Sequence, residues 1–239
     1  MKKIKYLLFT LALLGTAGWG PLDLFSLNIF RPRMPDIQST EWMSKEMSAI
    51  HSQADNIDPA VLKLSLHAYV VARQHGYGSN KQLLTIIDYS KSSNERRLWV
   101  VDLKYGRVLF NTWVSHGKNS GKVYATSFSN NPGSLKSSIG VFLTTQEPYV
   151  GGNGYSLRLQ GLEQGINDNA FKRDIVVHGA WYANPGIIKK YGEIGRSWGC
   201  PAVSLETVKP LINTIKDNTL VVAYYPDRHW LHYSAFLAS

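Results

Sequence analysis

A second cysteine is missing from this 239-residue chain, in which Cys200 stands alone. No internal disulfide can form, so a disulfide scaffold of the kind common in exported proteins is excluded. The thiol is left as packing or as a nucleophile. Acidic residues are also few: 17 against 26 lysines and arginines leave a formal net charge of +9. Such an excess speeds encounters with anionic polymers or surfaces. No nucleic-acid-binding motif accompanies it, and nucleic acid is not an expected partner. The apolar run Tyr6–Trp19, 14 residues long, falls short of the ~20 that a membrane-spanning helix requires. Internal repeats, low-complexity tracts and heptad patterns are absent, which excludes solenoids and coiled coils.

What is present begins with a leader. Three early lysines (Lys2, Lys3, Lys5), the apolar run, and the small residues Thr16, Ala17 and Gly18 give the three-part layout of a secretory signal. Residues 1–18 are therefore read as a signal peptide. The mature protein is expected to be exported, to the periplasm or the cell-wall compartment, with no stable membrane span after leader removal. Losing the leader takes three lysines and no acids, so the remainder stays basic. Residues 19–57 read as a linker or N-terminal segment. Within them the weakly amphipathic stretch Thr40 to His51 forms a short surface helix. With 44% hydrophobic residues the chain can bury a full core. One domain over 58–228, followed by a tail at 229–239, is the simplest division.

Asp58-Pro59 is a helix start, with Asp as N-cap and Pro in the first turn. Val61, Leu62, Leu64, Leu66, Ala68, Tyr69, Val70 and Val71 give that helix a wide apolar face, and Gly76 and Gly78 end it. Strand patterns follow at 83–89, 98–103, 107–114, 139–145, 155–159, 175–178 and 220–225, rich in β-branched and aromatic residues. No long helix lies between them, so a doubly wound parallel sheet is not expected. The fold class is mainly β (α+β), a β-sandwich or distorted barrel with an N-terminal helical segment. A further helix is placed at Glu206 to Lys216, with Pro210 separating its first turn. Two long loops, 115–138 and 147–154, have the length of functional segments.

Two stretches carry chemistry: residues 174–180, a short buried strand delivering His178, and residues 195–203, a glycine-punctuated turn holding Cys200. A thiol attacks as thiolate, and an ordinary pKa of ~8.5 leaves little of it ionised at neutral pH. A histidine in reach takes the proton and returns it to the leaving amine. Its other ring nitrogen needs an acceptor to fix the tautomer; a main-chain carbonyl near Gly179 or the Ser197 hydroxyl are the candidates. Gly195 and Gly199 permit a turn whose backbone N–H groups converge as an oxyanion hole. A zinc site from His116, His178 and Cys200 would leave a fourth position open. That spacing matches no ligand motif, so no metal or cofactor is expected. Arg158, Arg173 and Arg196 flank the same segments and are candidates for binding an acidic substrate. His116 joins them, on the shaped rim of the first long loop.

His178-Gly179 followed by Ser197-Trp198-Gly199-Cys200 resembles the signature of the L,D-transpeptidases of bacterial cell walls. Within them the chain is most similar to the second, YkuD-like group. The likeness extends to residues 85–89, 115–118, 128–130, 137–140, 156–159, 173–178 and 195–202, most of 58–226. It implies a mostly β catalytic domain acting on peptidoglycan stem peptides. By that likeness Cys200 attacks the carbonyl of the third stem residue, a diaminopimelate in most such bacteria, and expels the terminal D-alanine. The thioester then passes to a side-chain amine of a neighbouring stem, making a cross-link. His178 is implied as general base and acid, Gly199 and Cys200 as oxyanion donors, Gly179 as a guide for the imidazole and Ser197 as a buttress. The resemblance also implies acylation of Cys200 by carbapenems. Many members place an arginine two residues after the cysteine, where this chain has Ala202; Arg196 or Arg173 is expected to substitute. Water in place of the amine would make an L,D-carboxypeptidase, and loss of turnover a wall-binding module. Papain-like and NlpC-type enzymes place cysteine before histidine, the reverse of this order.

Overall fold

The computed structural model describes residues 39–238; the signal peptide read at 1–18 and the first part of the 19–57 segment lie outside them. Helix α1 (Thr40–His51) is capped by Ser39, whose side chain accepts from the Trp42 amide at 3.0 Å. Trp42, Glu46 and Ile50 recur every fourth position and are buried, so one stripe of this helix belongs to the core. It is therefore not the surface segment its weak amphipathicity suggested. Gln53 then bonds both Gly106 O and Val108 N, tying the helix to the sheet. Helix α2 (Pro59–Gln74) starts as its sequence dictates: the Asp58 carboxylate accepts from Ala60 N at 2.7 Å.

Nine strands follow among the described residues: β1 (Leu83–Asp88), β2 (Leu98–Asp102), β3 (Arg107–Thr112), β4 (Gly140–Thr144), β5 (Tyr149–Gly151), β6 (Gly154–Gly161), β7 (Val176–Gly179), β8 (Ala202–Val203) and β9 (Leu220–Tyr224). They pair in the order β3-β2-β1-β9-β4-β6-β7-β8, with β5 on β6. The β1–β9 and β7–β8 pairs are parallel and the others antiparallel. Every residue of β1 is buried, as a strand covered on both faces requires. Beyond β3, Ser115 bridges to Ala202 of β8, so the two ends of the order meet and the mixed sheet curls into a nearly closed barrel. The fold is mainly β, and of the two architectures expected it is the barrel.

Three shorter helices complete the chain: α3 (Pro185–Tyr191), α4 (Leu205–Ile215) and α5 (Arg228–Tyr233). Pro210 lies inside α4 without splitting it. The buried stripe Val208, Leu211, Ile212 and Ile215 holds the helix to the sheet. Pro210 and Glu206 are exposed, so the Glu206 carbonyl deprived of its donor turns to water. The segment read as a tail is also anchored. Trp230 of α5 is fully buried, and its indole N–H meets the Glu163 carboxylate at 3.1 Å. The same carboxylate accepts from Ser234 Oγ and, at 2.6 Å, from Val141 N. Burial pushes the Glu163 pKa up against these bonds.

Candidate active site

Strand β7 lies between β6 and β8, with His178 paired to Ser156 on one side and Ala202 on the other. That register places the cysteine turn, which ends two residues before Ala202, beside the histidine. His178 and Cys200 line one pocket of about 270 Å³, together with Asn153, Tyr182, Arg196 and Trp198. The His178 Nδ1 lies 3.0 Å from the Gly179 carbonyl. A carbonyl only accepts, so Nδ1 carries the hydrogen and Nε2 is left with its lone pair. Burial holds the imidazole pKa below its ordinary value, which keeps the ring neutral and basic at Nε2.

The thiol is nearly enclosed, 8% exposed. Its Sγ sits 3.5 Å from both Val176 N and Asp174 O. Desolvation raises the Cys200 pKa, while the Val176 amide and the charge of Arg173 oppose that rise. Burial thus favours the neutral form of each group, the thiol of Cys200 and the imidazole of His178.

Ser197 shapes the turn that presents the sulfur. Its hydroxyl accepts from Gly199 N at 3.1 Å and donates to Cys200 O at 2.6 Å. Its own amide is held by His116 O at 2.9 Å, and Ser137 Oγ donates to Gly199 O at 3.1 Å. Gly199 has φ +128°, and a Cβ there would lie 2.7 Å from Lys136 O, so no side chain fits. Gly179 has a different reason: a Cβ would press to 2.8 Å of Val208 Cγ1 in α4. Gly199 and Cys200 were both expected as oxyanion donors, but the Gly199 N–H is already engaged by Ser197. Among the described residues the Cys200 N–H donates to no backbone or side-chain acceptor, which leaves it free.

The four expected substrate contacts divide. Arg196 lines the pocket, with Gly121 O and Glu193 as its partners. Arg173 does not offer a free fork: its guanidinium is held by Ser129 O, Ser138 Oγ, Ser134 Oγ and Lys136 O. It clamps the 129–138 loop against the cysteine turn and contributes its charge to Cys200. Arg158 does not line the pocket; it pairs with Asp174 and stacks over Tyr149 and Phe171. His116 is fully buried rather than on a rim, with Nδ1 2.8 Å from Arg97 Nη2. Burial first, and then the Arg97 charge, lower its pKa to about 4. Among the described residues no three His, Cys, Asp or Glu side chains group as metal ligands. No described helix is long and apolar enough to cross a membrane.

Sequence reading assigned no role to Asn153, Tyr182 or Trp198, which also line the pocket. Asn153 lay in a loop marked by its length, and Trp198 inside the motif itself. Tyr182 gave no signal; only the Gly195 backbone, whose Cβ would meet the Tyr182 Cβ at 2.5 Å, explains its place.

A cysteine turn beside a histidine strand on a curled mixed sheet defines a candidate active site. The chain belongs to the L,D-transpeptidase catalytic domain family, whose model matches residues 53–224. Similar solved structures include an L,D-transpeptidase from Mycobacterium smegmatis, at 15% identity and TM-score 0.37, covering 60% of this chain and 59% of that one. L,D-transpeptidase 3 from Mycobacterium tuberculosis, in complex with a faropenem-derived adduct, is 12% identical with TM-score 0.37 and 60% coverage of each chain. The catalytic domain of the E. faecium L,D-transpeptidase is 14% identical with TM-score 0.33, covering 62% of this chain and 100% of that one. This chain thus spans about three fifths of the mycobacterial enzymes it resembles. No curated protein matches it.

Proposed function

We propose that this protein is an exported cysteine acyltransferase that exchanges peptide bonds between peptidoglycan stem peptides. The observation that carries the reading is the tautomer of His178: its Nδ1–H is committed to Gly179 O, which leaves a basic Nε2 in the pocket that holds the only thiol. The leader at residues 1–18 would deliver the enzyme to the compartment where its substrate lies.

In the first half-reaction His178 Nε2 takes the Cys200 proton as Sγ adds to the carbonyl carbon of the third stem residue. The oxyanion that forms meets the unengaged Cys200 N–H, and one such donor contributes about 3–4 kcal/mol to lowering the barrier. The C–N bond to the terminal D-alanine breaks, and the imidazolium protonates the departing amine. A thioester remains on Sγ. In the second half a side-chain amine of a neighbouring stem adds to that carbonyl and gives its proton to Nε2. The C–S bond breaks, and the imidazolium returns a proton to sulfur. Each step conserves protons within the dyad. Because the resting pair is neutral, the thiolate arises only as attack proceeds, which limits its exposure to oxidants.

Incubation with purified tetrapeptide stems, with and without an amine acceptor, tests the reading by mass spectrometry. The expected result is D-alanine release coupled to a cross-linked dimer in the presence of the amine. Release of D-alanine with no dimer at any acceptor concentration would instead mean hydrolysis by a carboxypeptidase. No release at all, or release undiminished in Cys200→Ala, would overturn the assignment.

A further inference from the structure

Beside the catalytic pocket is a larger hollow of about 640 Å³, lined by Lys118, Trp181, Tyr182, Tyr191, Glu193 and Arg196 among others. Tyr182 and Arg196 line both hollows, so they adjoin along one face. The second falls within the ~300–1,000 Å³ of ordinary ligand sites. Its rings are held out toward solvent: Trp181 is 66% exposed and Tyr191 59%, and Trp198 beside the thiol is 74% exposed.

These rings do not serve the core. Trp181 and Tyr191 belong to the excursion between β7 and the cysteine turn, whose helix α3 has no buried residue. That excursion is nonetheless well formed. Asn184 caps α3 at its start, and Gly192 closes it in the left-handed conformation. Trp181 meets the Tyr182 ring edge-on at 5.8 Å, and Gly195 closes on Tyr182 from below. The excursion is anchored by the buried Ala180, Ala183 and Ile194, and an anchored element that presents aromatic faces next to a catalytic pocket has the form of a binding surface.

The chemistry of the surface selects its occupant. A pyranose ring offers a face of C–H groups that stacks on an aromatic ring and an edge of hydroxyl and acetamido groups that needs polar partners. Here the aromatic faces of Trp181 and Tyr191 are accompanied by the charged groups of Lys118, Glu193 and Arg196, with Arg196 Nη2 3.8 Å from Glu193 Oε1. Lys189 and Lys190 of α3 add positive charge nearby, which complements the carboxylates of a wall polymer. We infer that this hollow binds N-acetylhexosamine rings of the glycan strand that carries the stem peptide, and so positions that stem over Cys200. The inference rests on the peptidoglycan reading above, but its test does not use the reaction.

Calorimetric titration of the full-length Cys200→Ala protein with an N-acetylglucosamine tetramer, and separately with a free stem tetrapeptide, decides it. Saturable binding of the sugar is expected, weakened by about tenfold or more in Trp181→Ala and in Tyr191→Ala. Both rings are largely exposed, so neither substitution threatens the fold, and circular dichroism checks this. Absence of saturable sugar binding overturns the inference, as does sugar binding that both substitutions leave unchanged. Tetrapeptide binding that depends on Trp181 while the sugar does not bind would make the hollow a peptide groove and also overturn it. Failure of acyl exchange by the wild type with sugar binding intact would sink the proposed reaction and leave the glycan site standing.

Discussion

Two buried histidines adjoin the Cys200 turn, each followed by glycine, and hydrogen bonding has given them opposite tautomers. His178 donates from Nδ1 to a carbonyl, which leaves Nε2 with its lone pair. His116 receives at Nδ1 from Arg97, a group that can only donate, so its Nε2 carries the hydrogen. Burial holds the first below its ordinary pKa; the second is neutral down to about pH 4. Even their glycines answer different needs. Gly179 admits Val208 of α4, whereas Gly117 admits the backbone of Leu135 and Ser137 from the long loop. The same dipeptide thus leaves an unprotonated Nε2 in one place and a protonated one in the other, and the partner at Nδ1 decides which.

The largest test of this difference is kinetic. His178→Gln should lower turnover of tetrapeptide stems roughly a hundred- to ten-thousandfold, the ordinary worth of a general acid–base. His116→Asn, which keeps an acceptor for Arg97, should stay within about tenfold of the wild type. Equal losses would erase the distinction. The wild-type kcat/KM should fall with acid through the lowered pKa of His178, so the acid limb lies below 6.5; an acid limb above that value would contradict a desolvated base.

A smaller effect sharpens the other side of the comparison. The pKa of His116 falls from 6.5 unfolded to about 4 folded, so between these values the unfolded chain binds more protons. Stability should therefore be present above pH 6.5 and be lost as pH falls toward 4. The loss amounts to about 3 kcal/mol. Denaturant unfolding across this window should show that slope in the wild type and a shallower one in His116→Asn; identical slopes would mean that His116 is not held neutral.

The smallest concerns Ser197, which joins the two regions through an amide held by His116 O and a hydroxyl bonded to Gly199 and Cys200. Ser197→Ala should cost about 1–3 kcal/mol of stability and slow acylation of Cys200 by a carbapenem, read by intact-protein mass spectrometry. Unchanged stability and unchanged acylation would show that the turn does not depend on that hydroxyl.

Much of this arrangement was legible in the chain. The core of each long strand and the Asp58 cap of α2 follow from local pattern, and the two motifs whose Cys200 and His178 line one pocket were visible as well. The rest depended on residues distant in sequence. Glu163 meets Trp230 across 67 positions, which turns an apparent tail into part of the core, and nothing local to residues 229–239 records that contact. Likewise the weak amphipathicity of α1 conceals a buried stripe, because helix α2 and strand β3 supply the surface it covers. Arg173 and Arg196 look alike as charges beside a motif. One is consumed by a loop brought from 44 positions away, and the other reaches the pocket.

The sequence by itself determined the candidate nucleophile, the candidate base and the mainly β course of the chain. Those rest on a solitary thiol, glycines where no Cβ fits, and alternation that reads over a few residues. Only the tertiary structure decided which nitrogen of each histidine holds its proton, which arginine reaches the pocket, and where aromatic rings face solvent. Each of these is set by a partner folded in from elsewhere, and a hydrogen bond has no meaning until its acceptor has arrived.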